Sequence, residues 1–319
     1  IYSWASENAS GDVVRGNLTI SGSDVVVRGN IEAYYLSNSG AQIIDESGEV
    51  LVEEGMFYNP VRKSYLSETS ALSYNAESGT YSIVASEEPQ AQIERGDSVY
   101  AFATLADAIA VAQSGDTVLL LGNVTQSITI GAEQNLTLDL NGFTLTNTAG
   151  QHTIINNGTL TVIDSSAEKT GTVTNVTSGK AAFYNGKDAT ATLSGGTFTR
   201  TAANNYYVIQ NHGTMEINDG VTMLQPSKSS SGIASGWYTP GDESQRTYLT
   251  INGGTFASNG ITVKNDEINE LIINGGTFDN VDGYLANQSV QNWAIGTIAG
   301  GTFYSNIYSW AYENDSGDV

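Results

Sequence analysis

Short alternations of apolar and polar residues, separated by glycine corners, run through most of the chain. The clearest surround Gly-Gly-Thr-Phe, found at 195–198, 253–256, 275–278 and 300–303, with a degenerate copy at Gly55-Met56-Phe57. Two positions before each double glycine stand Leu193, Ile251, Ile273 and Ile298; four before stand Ala191, Leu249, Leu271 and Gly296. Thr192, Thr250, Ile272 and Thr297 lie between them. A period of two is that of a strand with one buried face, so the first two sets point inward and the third outward. The second and third motifs start 22 residues apart, the third and fourth 25, and the first precedes the second by 58. A unit of this length is too short for a propeller blade and fits one coil of a parallel β-solenoid. Each coil buries its inward face only by stacking on the next, which predicts Ile and Phe ladders at ~4.8 Å. An antiparallel sandwich also has short alternating strands, but does not require the same side chain at the same corner of successive units. The expected fold class is all-β, a parallel β-helix of about eight coils over residues 115–304.

One stretch breaks the β pattern. Residues 102–113 are rich in Ala and place Leu105, Ala108, Ile109 and Ala112 along one helical face. Thr104 or Ala103 opens this helix and Ser114-Gly115-Asp116 ends it, so a short helix is predicted at about 103–113. Strand-like runs follow at 117–121, 127–130, 136–140 and 143–146. A helix at this place would cap the core and strand edge that a first coil exposes. Tyr-Ala-Phe-Ala-Thr-Leu-Ala-Asp-Ala-Ile-Ala-Val-Ala-Gln from Tyr100, Gly115-Asp116-Thr117-Val118, Leu138-Asp139-Leu140-Asn141-Gly142 and the Gly-Gly-Thr-Phe corners follow in order. Over about residues 93–304 this series resembles the pectin-lyase-like right-handed β-helix repeats of large secreted or surface-anchored proteins of Gram-positive gut bacteria. The resemblance implies a right-handed parallel β-helix and an extracellular, cell-surface location. Most such repeats have no assigned activity.

The two ends of the chain repeat each other. Ile-Tyr-Ser-Trp-Ala-Ser-Glu-Asn-Ala-Ser-Gly-Asp-Val from Ile1 matches the segment from Ile307 at 11 of 13 positions, an offset of 306 residues. The simplest reading is a tandem array with a period of about 306 residues, sampled out of phase. Residues 1–94 are then the closing coils and terminal hairpin of one repeat plus a linker, and 95–319 the capping helix and body of the next. Runs at 25–35 and 41–52 supply last strands, 74–84 a hairpin around Glu77-Ser78-Gly79, and 85–96 the linker. In another reading the copies are separate chains, and one subunit's final segment completes the next by strand addition. In either case the partner is a neighbouring copy, and Tyr2, Trp4, Tyr308 and Trp310 are expected at the junction. Ile1-Tyr2-Ser3-Trp4-Ala5 lacks a starting Met, a basic region and an apolar signal core, as expected of a segment cut from a longer polypeptide.

Composition narrows the function classes. The 319 residues carry 12 Lys and Arg against 34 Asp and Glu, a formal charge of −22, so no basic stripe for nucleic acid or anionic membrane is expected. No apolar run approaches the ~18–20 residues of a membrane span. The absence of cysteine removes disulfides, thiolate metal sites and cysteine nucleophiles. Uronate elimination needs an Arg or Lys base beside calcium-holding Asp, and hydrolysis needs converging carboxylates. The aligned outward positions are instead Thr or Ile, and Arg15, Arg28, Arg62, Arg95, Arg200 and Arg246 are dispersed. His152 and His212, far apart in sequence and each near an Asn-Gly corner, are expected to be structural or exposed. The acidic turns at Asp45-Glu46, Glu53-Glu54, Asp315 and Asp318 lack calcium-loop spacing and read as solvated faces. Sequons at Asn123, Asn135 and Asn157 read as corner asparagines. Trp237-Tyr238, in a Ser/Gly-rich insertion, suits either packing between loops or stacking on a sugar. The expectation is a structural or adhesive module of a bacterial extracellular or cell-surface fibre, with no catalysis, cofactor or metal. The alternative is a glycan-binding domain recognising host or bacterial glycans or, less favoured, a polysaccharide lyase or hydrolase.

Overall fold

The computed structural model describes residues 1–7, 10, 13–15, 17–37, 40–44, 50–201, 206–236, 245–266, 268–280 and 288–310. The chain forms two compact units, Ile1–Ala112 and Gln113–Val319.

The second unit is a parallel β-helix of eight coils, each contributing one strand to each of three parallel sheets. Coil 1 is Thr117–Leu120, Val124–Thr125 and Ile128–Ile130. Coil 8 is Ile295–Ile298, Thr302–Phe303 and Asn306–Ser309. Inward residues keep register from coil to coil. On the first sheet Val118, Leu138, Val162, Leu193, Ile217, Ile251, Ile273 and Ile298 form one column, with Thr192, Thr250, Ile272 and Thr297 beside it facing outward. On the second sheet Leu145, Val173, Phe198, Met223, Phe256, Phe278 and Phe303 stack. Phe256, Phe278 and Phe303 lie ring on ring at 4.9 and 4.7 Å, the inter-strand spacing itself.

The Gly-Gly-Thr-Phe corner now has a reason at each position. The first glycine abuts the backbone of the preceding coil: a Cβ on Gly195 would come within 2.8 Å of Asp164 N, and one on Gly275 within 2.5 Å of Asn252 O. The second adopts positive φ at Gly196, Gly254, Gly276 and Gly301, where a side chain is strained. Thr faces out and Phe in. Coil length is less regular than the motif suggests. First-sheet strands start 18 residues apart at Thr117 and Asn135 but 34 apart at Thr214 and Tyr248, because corner loops absorb insertions without disturbing the ladders.

The third sheet carries a polar column inside the core. Asn156, Asn185, Asn211, Ser235, Asn265, Asn292 and Ser309 are in register. Each side-chain amide donates to the next rung: Asn156 to Asn185 Oδ1 (2.8 Å), Asn185 to Asn211 Oδ1 (2.9 Å), Asn211 to Ser235 Oγ (3.1 Å) and Asn265 to Asn292 Oδ1 (2.8 Å). The same amides donate to the carbonyls of Thr190, Thr214 and Tyr248, satisfying the buried turn into the following coil. Ser235 breaks the series. Its hydroxyl pairs with Thr247 Oγ1 at 3.0 Å, and Asn265 Oδ1 is buried without a donor among the described residues.

The first unit winds in the same three-faced way before it changes. Tyr2–Glu7 pairs parallel with Glu32–Ser37, Leu18–Ile20 with Val50–Val52, and Val26–Val27 with Met56–Phe57. Antiparallel strands follow. Thr80–Ala85 pairs with Met56–Phe57 and with Ser70–Asn75, the latter as the hairpin expected around Gly79. Its turn is set by Asn75 Oδ1, which accepts from the N–H groups of Glu77 and Ser78. Residues 91–95, expected within a linker, instead form a strand paired with Ser98–Phe102. The helix is Leu105–Val111, shorter at both ends than 103–113. Thr104 Oγ1 accepts from Asp107 N at 3.1 Å as the N-cap, and Ala112 turns to an extended backbone. Leu105, Ala108 and Ile109 are its buried face, set against the strands Ala91–Arg95 and Ser98–Phe102 of this unit.

Candidate functional site

Two of the buried carboxylates are committed to corners. Asp139 Oδ1 accepts from the N–H groups of Asn141 and Ser165 at 2.9 Å each. Asp164 accepts from Gly142 N, from Ser166 N and Oγ, and from Gly171 N. Burial pushes the Asp164 pKa up, but these donors outweigh it and hold the carboxyl below its ordinary range. Both carboxylates are thus occupied in holding backbone N–H groups at the corners. Among the described residues no group of three His, Cys, Asp or Glu side chains is arranged to hold a metal. Glu53 and Glu54 are exposed, whereas Asp45, Glu46, Asp315 and Asp318 lie outside the described residues.

The two histidines, expected to be structural or exposed, come together on one face. The Tyr184 ring lies between them, 4.9 Å from His152 and 5.3 Å from His212. Tyr206 stands 6.1 Å from His152 and donates its hydroxyl to Gln210 Oε1 at 2.9 Å. Arg200, one of the dispersed arginines, is buried here and donates to the carbonyls of Thr177 (2.8 Å) and Tyr206 (3.0 Å). His152 accepts at Nδ1 from Ala181 N, 2.9 Å away. Burial lowers both histidine pKa values to about 4, helped at His152 by Lys180 and Arg200. Both imidazoles should therefore stay neutral to about pH 4 in an NMR titration. A midpoint near 6.5 at either would show an open, solvated ring. Because the folded pKa lies below the unfolded one, the stabilisation is present above pH 6.5 and is lost as pH falls towards 4. For His212 alone it is on the order of 3 kcal/mol.

A polar groove crosses the last four coils. Gly254, Gly276 and Gly301 form its floor, and the outward hydroxyls of Thr222, Thr255, Thr277 and Thr302 line it in register. At the neighbouring corner a second, more exposed amide column joins Asn274 to Asn252 Oδ1 and Asn252 to Asn218 Oδ1, both at 2.9 Å. Trp237 and Tyr238, the sugar-stacking candidates, lie outside the described residues.

The repeated end segment occupies the third face in both units. Asn306–Ser309 pairs with the preceding coil, Ile307 against Val290, Tyr308 against Gln291 and Ser309 against Asn292. Tyr2–Glu7 pairs with the following coil, Tyr2 against Glu32 and Ser3 against Ala33. Of the expected junction residues, Tyr2 is exposed and Trp310 half-exposed. Trp310 stacks on Trp293 at 5.4 Å and near Tyr308 at 6.2 Å, while Trp4 lies in the strand against Tyr34. The structure brings together Tyr308 and Trp310, in the second unit, while Tyr2 and Trp4 belong to the first.

What the sequence reading missed was carried by a faint signal. The core asparagines share an apolar-x-Asn pattern: Ile154-Ile-Asn156, Phe183-Tyr-Asn185, Ile209-Gln-Asn211, Val263-Lys-Asn265 and Val290-Gln-Asn292. The molecule is thus an all-β parallel β-helix in which the buried Asp139 and Asp164 serve its corners. No family model matches the sequence, and no curated protein or solved structure is significantly similar to it.

Proposed function

We propose that this chain is a structural and adhesive repeat module of a bacterial extracellular or cell-surface fibre, built from stacked β-helix units and without catalytic activity. The observation that carries this reading is the end segment that recurs at an offset of 306 residues, whose two copies both begin as third-face strands of a parallel stack. A β-helix is a stiff rod with nearest-neighbour stability, suited to bearing load along its axis. Carboxylates spent on capping backbone N–H groups support a non-enzymatic reading, as does the resemblance to surface-protein repeats. The net charge of −22 keeps such rods from bundling.

Imaging of the native material should show a thin unbranched fibre with an axial repeat on the order of 40–60 Å. Compact particles that never associate end to end would refute it. On homogalacturonan, with or without calcium, no release of unsaturated or reducing ends is expected. Release lost on replacing a pair of aspartates would establish the lyase or hydrolase alternative. The glycine-floored threonine groove favours glycan binding as the second reading, since a row of hydroxyls at strand spacing suits a hydroxylated polymer. Glycan-array binding abolished by Thr255→Val with Thr277→Val would support it.

A further inference from the structure

We propose that coil 8 is continued by the first coil of a second copy of this chain, with a single Ile-Tyr-Ser-Trp strand serving both copies. This rests on the fibre reading and specifies its junction. The neighbour of Asn306–Ser309 is the preceding coil, whereas the neighbour of Tyr2–Glu7 is the following one. In a solenoid winding in one direction these are opposite edges of the strand. The same sequence is therefore seen once with its lower neighbour and once with its upper neighbour. Among the described residues, Ile307 is 46% exposed and pairs with the preceding coil, and Ile1 is 45% exposed and bonds to the following one. Merging the two strands places Val290 below that isoleucine and Ile31, already buried, above it. No clash of pairing arises. Among the described residues, Val13–Arg15 pairs with the strand at residues 5–7, beyond the three positions that meet residues 290–292.

The other faces follow by count. Phe303 precedes Ile307 by four residues, as Val27 precedes Ile31. Val27 of the second copy therefore continues the Phe256–Phe278–Phe303 column, and Arg28 falls on Tyr304. Within one copy Arg28 already lies 4.5 Å from the ring centroid of Tyr58, one coil further on. Tyr304 is 69% exposed. Its ring supplies the other side of the same cation–π column, so Arg28 would be held between two tyrosines. The junction would also cover Ile298, which is 40% exposed.

The chain has no cysteine, so introduced pairs report by themselves. Directly opposed residues of parallel strands, about 4.8 Å apart, fall within disulfide reach. Two pairs within one chain are controls: Tyr2→Cys with Glu32→Cys, and Gln291→Cys with Tyr308→Cys. Two arms test the junction under mild oxidation. In the full chain, Glu32→Cys with Tyr308→Cys should give a ladder of covalent multimers if separate copies exchange the strand. In two copies joined so that residue 306 of the first precedes residue 1 of the second, Gln291→Cys of the first should close with Tyr2→Cys of the second. Closure in either arm supports the junction, and closure only in the joined copies makes it one of continuous chain. Both controls closing while neither arm does overturns it. Fibres without closure would mean that units meet by another surface, whereas closure without fibres would leave the junction standing and remove the fibre reading.

Discussion

Ile273→Asp should unfold the end of the β-helix, with a destabilisation above ~4 kcal/mol. Ile273 is fully buried, in register between Ile251 and Ile298, with no polar group in its column to receive a carboxylate. The charge cannot be solvated without separating coil 7 from its neighbours. Because a solenoid is nearly one-dimensional, the loss should be local first, with amides of residues 270–309 exchanging before those of coils 1 to 4. The adjacent Ile272 faces outward between Thr250 and Thr297, so Ile272→Asp should cost no more than about 0.5 kcal/mol. Thermal unfolding of the two variants measures the difference. An unchanged melting temperature for Ile273→Asp would remove the ladder.

Asn185→Ala should cost on the order of 3–4 kcal/mol, far more than the area of its side chain suggests. The change removes the amide that Asn211 Oδ1 and the Thr214 carbonyl accept from, at 2.9 and 3.0 Å, and takes the Oδ1 acceptor from Asn156. All three asparagines are wholly buried, so water does not replace what is lost. Asn252→Ala removes similar bonds in the exposed corner column, to Asn218 and Glu216. Water takes their place, and about 0.5 kcal/mol or less is expected. Equal effects at Asn185 and Asn252 in chemical denaturation would show that the inner column is hydrated rather than sealed.

The fold was legible because its strongest constraint is local. Alternation at Leu193, Ile251 and Ile273 distinguishes inside from outside within a few residues, and the paired glycines with Phe mark one corner in four coils. The helix was legible from its apolar spacing and Thr104. Its ends were not, because Ala103 and Ala112 suit a helix intrinsically, whereas the backbone at Ala112 is extended in the fold. The strand Ala91–Arg95 was hidden by Glu87-Glu88-Pro89, turn-like residues that belong only to the approach to that strand.

The site was legible only where the sequence repeats itself. The match of the segments from Ile1 and Ile307 pointed to the end strands, since agreement at 11 of 13 positions needs no register to be recognised. The cluster of His152, Tyr184, Arg200, Tyr206 and His212 gave no such signal. Its members come from successive coils, and the loops between coils vary from a few residues to a long insertion. Which residue of one coil lies on which residue of the next is therefore set by the ladders and not by separation along the chain.

By itself the sequence determined an all-β solenoid, its inward and outward positions, its glycine corners and the recurrence of its first segment 306 residues on, because each follows from local periodicity or direct identity. The tertiary structure alone decided the buried asparagine column, the joining of the two histidines around Tyr184 and the pairing of one end strand with its preceding coil and of the other with its following coil. Those depend on the stacking of coils, which holds to one residue across loops of unequal length. The physical reason is that inter-coil hydrogen bonds and buried ladders fix register, while the corners are free to lengthen.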